Sequence, residues 1–238
     1  MASLAEALAQ TFLPSTCAAC GDALPWQGSR AGVCAACWIA AAPHAGRLCP
    51  VCGETEVVED GPCLACRNDP PRWRAAASFG PYSGRLRDLV LLLKTRGRDE
   101  LAPPLAELLV AVARGAGWPH PDAVVAVPMA WWRRFRRGYN QAELIARVVS
   151  RRLGAPLLAP LGRRGGRSQV GLARSERLRL GAGAFPVRRR IRGRVYLVDD
   201  VLTTGATAAA CSRALVAAGA AEVFVLTVAT TPRSGRIP

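Results

Sequence analysis

Residues 195–207 constrain the fold of this chain more than any other stretch. Val195 to Val198 are typical of a buried strand, and two adjacent carboxylates, Asp199 and Asp200, follow them. A short turn with hydroxyl and glycine residues comes next, and an alanine-rich run suited to a helix begins at Ala206. The stretch therefore predicts a strand, a loop and a helix start, as in an α/β protein built on a parallel sheet.

The predicted loop, Thr203 to Thr207, has the features of a phosphate-binding site. Backbone N–H groups at a helix N-terminus lack partners inside the helix, and the helix dipole adds positive potential there. Gly205 allows a ligand to approach the backbone closely. Carboxylates at the carboxyl end of the strand can accept hydrogen bonds from sugar hydroxyls. The residues therefore indicate a phosphorylated sugar, although the pattern also fits an ordinary turn in which the two acids cap the helix.

This stretch resembles the 5-phosphoribosyl-1-pyrophosphate (PRPP) motif of type I phosphoribosyltransferases. In those enzymes the paired acids hold the ribose 2′ and 3′ hydroxyls, and the loop holds the 5-phosphate. The resemblance implies that Asp199 and Asp200 are the catalytic residues and that PRPP binds together with Mg²⁺. The phosphate ligands that it implies are Thr203, Thr204, Gly205, Ala206 and Thr207.

Eight of the nine cysteines form four Cys-x-x-Cys pairs between residues 17 and 66. Two thiolates at this spacing can bind one Zn²⁺ ion, and two such pairs complete a closed tetrahedral site. The spacings favour two zinc ribbons in sequence, the first with Cys17, Cys20, Cys34 and Cys37 and the second with Cys49, Cys52, Cys63 and Cys66. An interleaved arrangement, in which the first pair joins the third and the second joins the fourth, also fits the spacing. A redox-active dithiol is a further alternative, although no pair opens a helix after a strand.

A segment this short contains few large apolar residues, so we expect zinc binding and folding to be one event there. Two structural zinc ions are therefore predicted. The ninth cysteine, Cys211, lies in the predicted helix after the phosphate loop and is expected to be a buried apolar residue.

The chain carries a formal net charge of +15, and Lys94 is the single lysine among its 32 basic residues. Each zinc ion bound by four thiolates contributes a charge of −2, which lowers the total from +15 to +11. This excess favours polyanionic partners such as nucleic acid. No run approaches the roughly 20 apolar residues that cross a bilayer, and the first residues do not form a secretion signal. We therefore expect a cytoplasmic protein without a membrane span, in which thiols stay reduced.

Three regions are expected along the chain. Residues 1–70 comprise an N-terminal helix and the double zinc ribbon, and residues 68–74 form a proline-containing linker. Residues 75–230 alternate strands and helices, which favours a parallel sheet covered on both faces. Residues 231–238 form a flexible tail. The elements expected in the second region, besides the strand before Asp199, are strands at 75–79, 123–127, 157–161 and 222–228 and helices at 86–94, 103–114, 141–152 and 206–218.

A basic and aromatic segment, residues 131–141, follows the predicted strand that ends at Pro128. In one interpretation, backbone groups after Pro128 and the guanidinium groups of Arg136 and Arg137 neutralise a pyrophosphate at the sheet edge. In a second, aromatic side chains stack on unpaired bases while arginines follow the phosphates. In a third, the segment is a solvated basic loop with buried tryptophans. The aromatic residues concerned are Trp131, Trp132 and Phe135.

The chain as a whole resembles the ComF family of competence-associated proteins over roughly residues 12–230. The resemblance rests on the four cysteine pairs, Tyr82, residues 89–94, residues 137–143, residues 169–172, Arg177, Phe185 and residues 198–207. It implies a parallel-sheet type I phosphoribosyltransferase-like domain of the α/β class, preceded by a small N-terminal double zinc ribbon. It also assigns residues 162–180 to a mobile loop over PRPP and the turn after Val127 to the pyrophosphate. Leu180 departs from the asparagine that similar sequences usually carry.

Two functions follow from this resemblance, and a third alternative is a regulator that uses PRPP as a signal. The first is phosphoribosyl transfer from PRPP to an acceptor that no residue identifies, with Lys94, Arg136 and Arg137 as further phosphate ligands. A single lysine in a chain that otherwise uses arginine indicates that a compact ammonium group is required at residue 94, although chance retention explains it equally well. The second function is a non-catalytic, nucleic-acid-handling role in DNA uptake during natural competence. Its partners would be single-stranded DNA or proteins of the competence machinery.

Overall fold

The computed structural model describes residues 15–24, 29–55, 61–163 and 184–231. The expected N-terminal helix, the tail after residue 231 and most of the expected mobile loop at 162–180 lie outside the described residues. Two small cysteine-rich units precede a five-stranded sheet, and the sheet packs against a hydrophobic cluster on each face.

The first cysteine-rich unit contains a hairpin of β1 (Ser29–Arg30) and β2 (Val33–Cys34), followed by α1 (Ala35–Ala40). The second contains α2 (Leu64–Asn68). The strands of the sheet are β3 (Ala75–Pro81), β4 (Ala123–Ala126), β5 (Leu157–Leu158), β6 (Gly193–Leu202) and β7 (Ala220–Thr230). Its helices are α3 (Gly84–Thr95), α4 (Ala102–Gly115), α5 (Trp131–Arg137), α6 (Gln141–Leu153) and α7 (Ala206–Ala217).

All five strands of the sheet run parallel, in the order β3-β7-β6-β4-β5. The central strands β6 and β7 are apolar almost throughout, because both faces of a parallel sheet are covered. Residues of α3, α4 and α6 form the core on one face, and α7 packs against the other. The predicted parallel α/β sheet is confirmed, and Cys211 of α7 is fully buried as expected.

Local sequence signals account for the helix boundaries near the sheet edge. Two prolines occupy the first turn of α4, where a missing N–H costs nothing. Asn140 caps α6, since its side-chain oxygen accepts a hydrogen bond from the Ala142 N–H at 3.2 Å. Gly138 ends α5 with a φ of +82°, a conformation that favours glycine.

Both cysteine-rich units pack against the sheet domain around the edge strand β3. Val33 and Cys37 of the first unit join the same hydrophobic cluster as Leu89 of α3. The segment between the units follows β3, because the N–H of His44 donates to the carbonyl of Phe79 at 3.0 Å. The first cysteine-rich unit therefore shares the core of the larger domain, whereas the cysteines of the second form a separate small cluster. No helix in the described ranges is long and apolar enough to cross a bilayer.

Candidate functional site

The carboxyl ends of β4 and β6 lie side by side and bring the predicted site residues to one edge of the sheet. The N–H of Val127, just after β4, donates to the carbonyl of Val198 in β6 at 2.9 Å. Asp199 and Asp200 lie within the last four residues of β6, which ends at Leu202. Because successive side chains on a strand point to opposite faces, the two carboxylates have different neighbours.

Asp200 is a buried and fully paired carboxylate, with only 5% of the residue exposed. Its Oδ1 lies 3.2 Å from Nζ of Lys94, and its Oδ2 accepts a hydrogen bond from Nε2 of Gln141 at 2.5 Å. A buried carboxylate is costly unless it is paired and hydrogen-bonded. These two contacts meet that requirement.

The contacts of Asp200 extend into a chain of side chains across the sheet edge. Nζ of Lys94 also lies 5.6 Å from the ring centre of Tyr82, which follows β3. On the other side, Oε1 of Gln141 accepts a hydrogen bond from Nη1 of Arg137 at 3.4 Å. Lys94 therefore forms an ion pair with the Asp200 carboxylate. Its predicted contact with a phosphate stays a prediction.

Asp199 is only partly buried, in contrast to Asp200. Its Oδ1 accepts a hydrogen bond from the backbone N–H of Asp200 at 2.9 Å. Burial and the negative charge of Asp200 raise the pKa of Asp199, while that N–H and the charges of Lys94 and Arg163 act in the opposite direction. The carboxylate is therefore suited to a bound cation or to sugar hydroxyls, either of which would stabilise its charged form. Mg²⁺ prefers such oxygen ligands.

The loop after β6 leaves backbone N–H groups available at the start of α7. Gly205 immediately precedes the helix and has a φ of +77°. The N–H of Ala206 donates to Oγ1 of Thr204 at 3.3 Å, and the first hydrogen bond of the helix joins Ala209 to Gly205. Within the described residues, the N–H groups of Thr203, Thr204, Gly205 and Thr207 have no backbone acceptor. These donors surround a helix N-terminus and are chemically suited to a phosphate.

The basic and aromatic segment forms α5 beside this edge. Trp131 and Phe135 are 68% and 88% exposed, so the interpretation with buried tryptophans is wrong for Trp131. Arg136 is exposed, whereas Arg137 contacts Gln141. Two predicted arginines on one helix therefore have different surroundings, and Arg137 is connected to Asp200 through Gln141.

Sequence reasoning gave no role to two residues that the fold brings to this edge. Gln141 was part of the family resemblance, yet its contact with Asp200 depends on how α6 packs beside β6. Arg163 donates from Nη1 to the carbonyl of Pro128 at 3.4 Å, and its guanidinium group lies 5.4 Å from the ring centre of Phe185. Burial lowers the pKa of Arg163. The only sequence signal was its position at the start of the expected mobile loop.

The eight paired cysteines form two separate clusters of four. Within each cluster, all sulfur atoms lie within 4.8 Å of one another, and the clusters are Cys17, Cys20, Cys34 and Cys37, and then Cys49, Cys52, Cys63 and Cys66. The sequential arrangement is confirmed, and the interleaved alternative is wrong.

Sulfur distances within the clusters match a tetrahedral metal site. The Cys17–Cys37 and Cys20–Cys34 sulfur pairs are 3.8 Å apart, and the Cys52–Cys63 pair is 3.7 Å apart. Four ligands about 2.3 Å from a zinc ion at tetrahedral angles would be separated by about 3.8 Å. A disulfide would require roughly 2 Å. The two clusters therefore fit two structural zinc ions.

Backbone donors prepare one thiol of each cluster for metal binding. Burial alone would raise the pKa of Cys17, but N–H groups including that of Cys34 lower it to about 6. Cys49 has the same pattern, in which the N–H of Cys63 contributes and the pKa falls to about 7. A thiolate is the form that binds zinc, so Cys17 and Cys49 are the thiols that these N–H groups favour as ligands.

Comparisons with known proteins agree with this architecture. A family model described as a double zinc ribbon domain matches residues 8–67. A protein of Salmonella typhi named DNA utilization protein YhgH is 34% identical over 220 residues, which cover 90% of this chain and 96% of that protein. Competence protein F of Haemophilus influenzae is 32% identical over 211 residues, with 82% and 88% covered.

A solved purine phosphoribosyltransferase from Pyrococcus horikoshii aligns with 57% of this chain and 76% of its own, at 19% identity and a TM-score of 0.35. The match to the Salmonella protein extends over nearly the whole of both chains, and the double zinc ribbon matches as well. Together these two findings establish the family of this chain. This chain belongs to the ComF family of competence-associated proteins.

Proposed function

We propose that this chain binds PRPP with Mg²⁺ at the carboxyl edge of its sheet and transfers the phosphoribosyl group to a nucleophilic acceptor. The observation that carries the proposal is the loop after β6, which is separated from Asp200 by two residues and in which four N–H groups have no backbone acceptor among the residues that the structure describes. Type I phosphoribosyltransferases, whose motif this segment resembles, use the same order of groups. We place the protein in the cytoplasm, where its cysteine thiols would stay reduced.

Each part of the edge would have a separate task in this reaction. The N–H groups of residues 203–207 would hold the 5-phosphate, and Asp199 would accept hydrogen bonds from the ribose hydroxyls. Asp200 is already paired with Lys94 and Gln141, so we assign it mainly to holding that side of the site in place. Mg²⁺, bound by a carboxylate and the substrate phosphates, would supply positive charge for the leaving pyrophosphate.

The proposed transfer is a nucleophilic substitution at ribose C1. The bond between C1 and the pyrophosphate oxygen breaks, a bond from C1 to the acceptor nucleophile forms, and pyrophosphate leaves with the bonding electrons. A proton on the nucleophile passes to solvent or a base. Arg163, which contacts Pro128 in the turn after β4, and Arg137, which contacts Gln141, are the cations that we assign to the departing negative charge.

The proposal predicts that PRPP stabilises the folded protein. Because a ligand that binds only the native state raises stability, PRPP at 100 times its dissociation constant should add about 2.7 kcal/mol and raise the melting temperature when Mg²⁺ is present. The Asp199→Asn variant should fold but lose most of this shift. Asp122→Asn is a matched control, since Asp122 bonds Arg194 away from this edge. Lack of a shift in the unmodified protein at millimolar PRPP would contradict the proposal.

Transfer is tested by a screen of nucleobases and other nucleophiles for acceptor-dependent release of pyrophosphate from PRPP. One acceptor that raises the release rate, and fails to do so with Asp199→Asn, would support catalysis. PRPP binding without release for any acceptor would restrict the function to ligand binding.

A second candidate function, handling of single-stranded DNA, is favoured by the surface of α5. Trp131 and Phe135 are one helical turn apart and strongly exposed, and arginines flank them on the same short helix. Exposed aromatic rings among arginines are typical of proteins that stack unpaired bases and neutralise the phosphates between them. The names of the relatives from Salmonella and Haemophilus, which mention DNA utilization and competence, agree with this candidate.

This candidate predicts that the double variant Trp131→Ala/Phe135→Ala binds a single-stranded oligonucleotide at least about 30-fold more weakly, because each of the two stacked bases contributes roughly 1–3 kcal/mol. Affinity should also fall steeply with salt in both proteins. The control is Ile39→Ala/Leu64→Ala, which removes two equally exposed side chains from the cysteine-rich units. Equal affinity of both double variants, measured by fluorescence anisotropy, would rule out α5 as the contact.

A further inference from the structure

Trp73 connects the second cysteine cluster to the sheet domain. It lies in the segment that the sequence predicts to be a linker, yet only 7% of it is exposed. Its indole Nε1–H donates to the carbonyl of Val51 at 2.8 Å. Val51 stands between Cys49 and Cys52, inside the knuckle that supplies two of the four metal ligands. One end of the indole is therefore attached to the backbone of the second zinc ribbon.

The other end of the same indole lies against the phosphate loop. A Cβ atom on Gly205 would lie 3.1 Å from Cη2 of Trp73, so the six-membered ring packs directly on that turn. Trp73 also belongs to the hydrophobic cluster that contains Leu202, before the loop, and Ala208, after it. The indole thus supports the loop on the side opposite to solvent.

The knuckle that holds Trp73 is itself seated on the sheet. A Cβ atom on Gly53 would lie 3.0 Å from the carbonyl oxygen of Ala76 in β3, which leaves no room for a side chain between knuckle and strand. Once its four cysteines bind a metal ion, this knuckle has a fixed shape. The position of the Val51 carbonyl, and with it the indole, is then fixed relative to the sheet.

We propose that Trp73 is a positioning residue that transmits the order of the second zinc ribbon to the phosphate loop at Gly205. The part of this inference that concerns ligand affinity rests on the proposed function, because the loop at Gly205 is the one that would hold the 5-phosphate. N–H donors bind an anion strongly when they are already arranged around it, since no ordering cost is then paid on binding. Metal in the second ribbon therefore keeps the loop arranged and raises affinity for the phosphorylated ligand.

The test compares Trp73→Phe with Trp118→Phe by amide hydrogen exchange. Trp73→Phe keeps an apolar ring but removes the Nε1–H donor and the outer ring atoms that meet Gly205. Trp118 packs on Tyr196 and Phe224 in the opposite cluster, so its variant is a matched control. Trp73→Phe should retain two zinc ions, speed exchange in residues 203–209 several-fold and leave exchange in residues 141–153 unchanged. It should also weaken PRPP–Mg²⁺ binding about tenfold.

A second pair of variants tests the metal itself. Cys63→Ala/Cys66→Ala removes ligands from the second cluster and should speed exchange in residues 203–209. Cys34→Ala/Cys37→Ala removes ligands from the first cluster and should leave the exchange rates of residues 203–209 close to those of the unmodified protein. Equal acceleration by both pairs would overturn the inference, because it would indicate a general loss of stability.

The outcomes separate this inference from the proposed function. If the unmodified protein binds PRPP and Trp73→Phe alters neither exchange nor affinity, the inference fails alone. If the unmodified protein does not bind PRPP but Trp73→Phe still loosens residues 203–209 selectively, the proposed function fails and the structural coupling stands. If neither binding nor selective loosening is seen, both are overturned.

Discussion

At the scale of single residues, the two adjacent aspartates of β6 have separate roles. Asp200 is held by an ammonium group and an amide, whereas Asp199 is partly exposed and has a raised pKa. The alternation of side chains along a strand accounts for this division, because it directs Asp200 to the face covered by α3, α4 and α6 and Asp199 to the face covered by α7. The two acids that are adjacent in the sequence therefore have different surroundings, and only Asp200 is paired with both an ammonium group and an amide.

The pairing of Lys94 with Asp200 predicts strongly non-additive stability effects. Lys94→Met leaves a buried carboxylate with a single partner and should lower the free energy of unfolding by about 2–4 kcal/mol. Asp200→Asn leaves the ammonium group unpaired and should also destabilise. The double variant removes both charges and should lose at least 1 kcal/mol less than the sum of the single losses. Urea unfolding of the four proteins measures these values, and strictly additive losses would indicate that the two groups do not interact.

At the scale of elements, the cysteine knuckles and the loop before α7 are defined by local sequence. The Cys17–Cys20 pair folds into a turn in which an N–H group points at a sulfur atom, since the N–H of Ala19 lies 3.4 Å from Cys17 Sγ. The loop before α7 follows the strand-acid-glycine order. Such elements could be predicted because their shape depends on residues close together in the chain. The pairing of the knuckles could not, since both arrangements satisfy the spacing.

Metal analysis distinguishes the two pairings. The unmodified protein should contain two zinc ions per chain, because its two clusters each offer four sulfur ligands. A variant with all four cysteines of the first cluster changed to serine should retain one zinc ion. An interleaved arrangement would leave both sites with half their ligands and would retain none. Elemental analysis after exhaustive dialysis against a weak chelator gives the answer.

At the scale of the whole molecule, the cysteine-rich units and the sheet domain share contacts around β3. Val33 of the first unit lies in one core, and Trp73 joins the second unit to the other. The sequence predicts the sheet, its approximate strands and the two ribbons. It does not predict these contacts, because residues distant in the chain leave no local pattern where they meet. Trp73, in a proline-rich segment, is the clearest example.

The central claim is that backbone N–H groups in the loop after Asp199 and Asp200 hold a sugar phosphate. The most direct measurement is an amide NMR titration with ribose 5-phosphate, which carries the phosphate without the pyrophosphate. The account predicts that amide signals of residues 203–207 move downfield together, with Gly205 among the largest changes, because an anion accepts their hydrogen bonds. Saturating ribose 5-phosphate that leaves these signals unmoved, or that shifts amides only elsewhere, would contradict it.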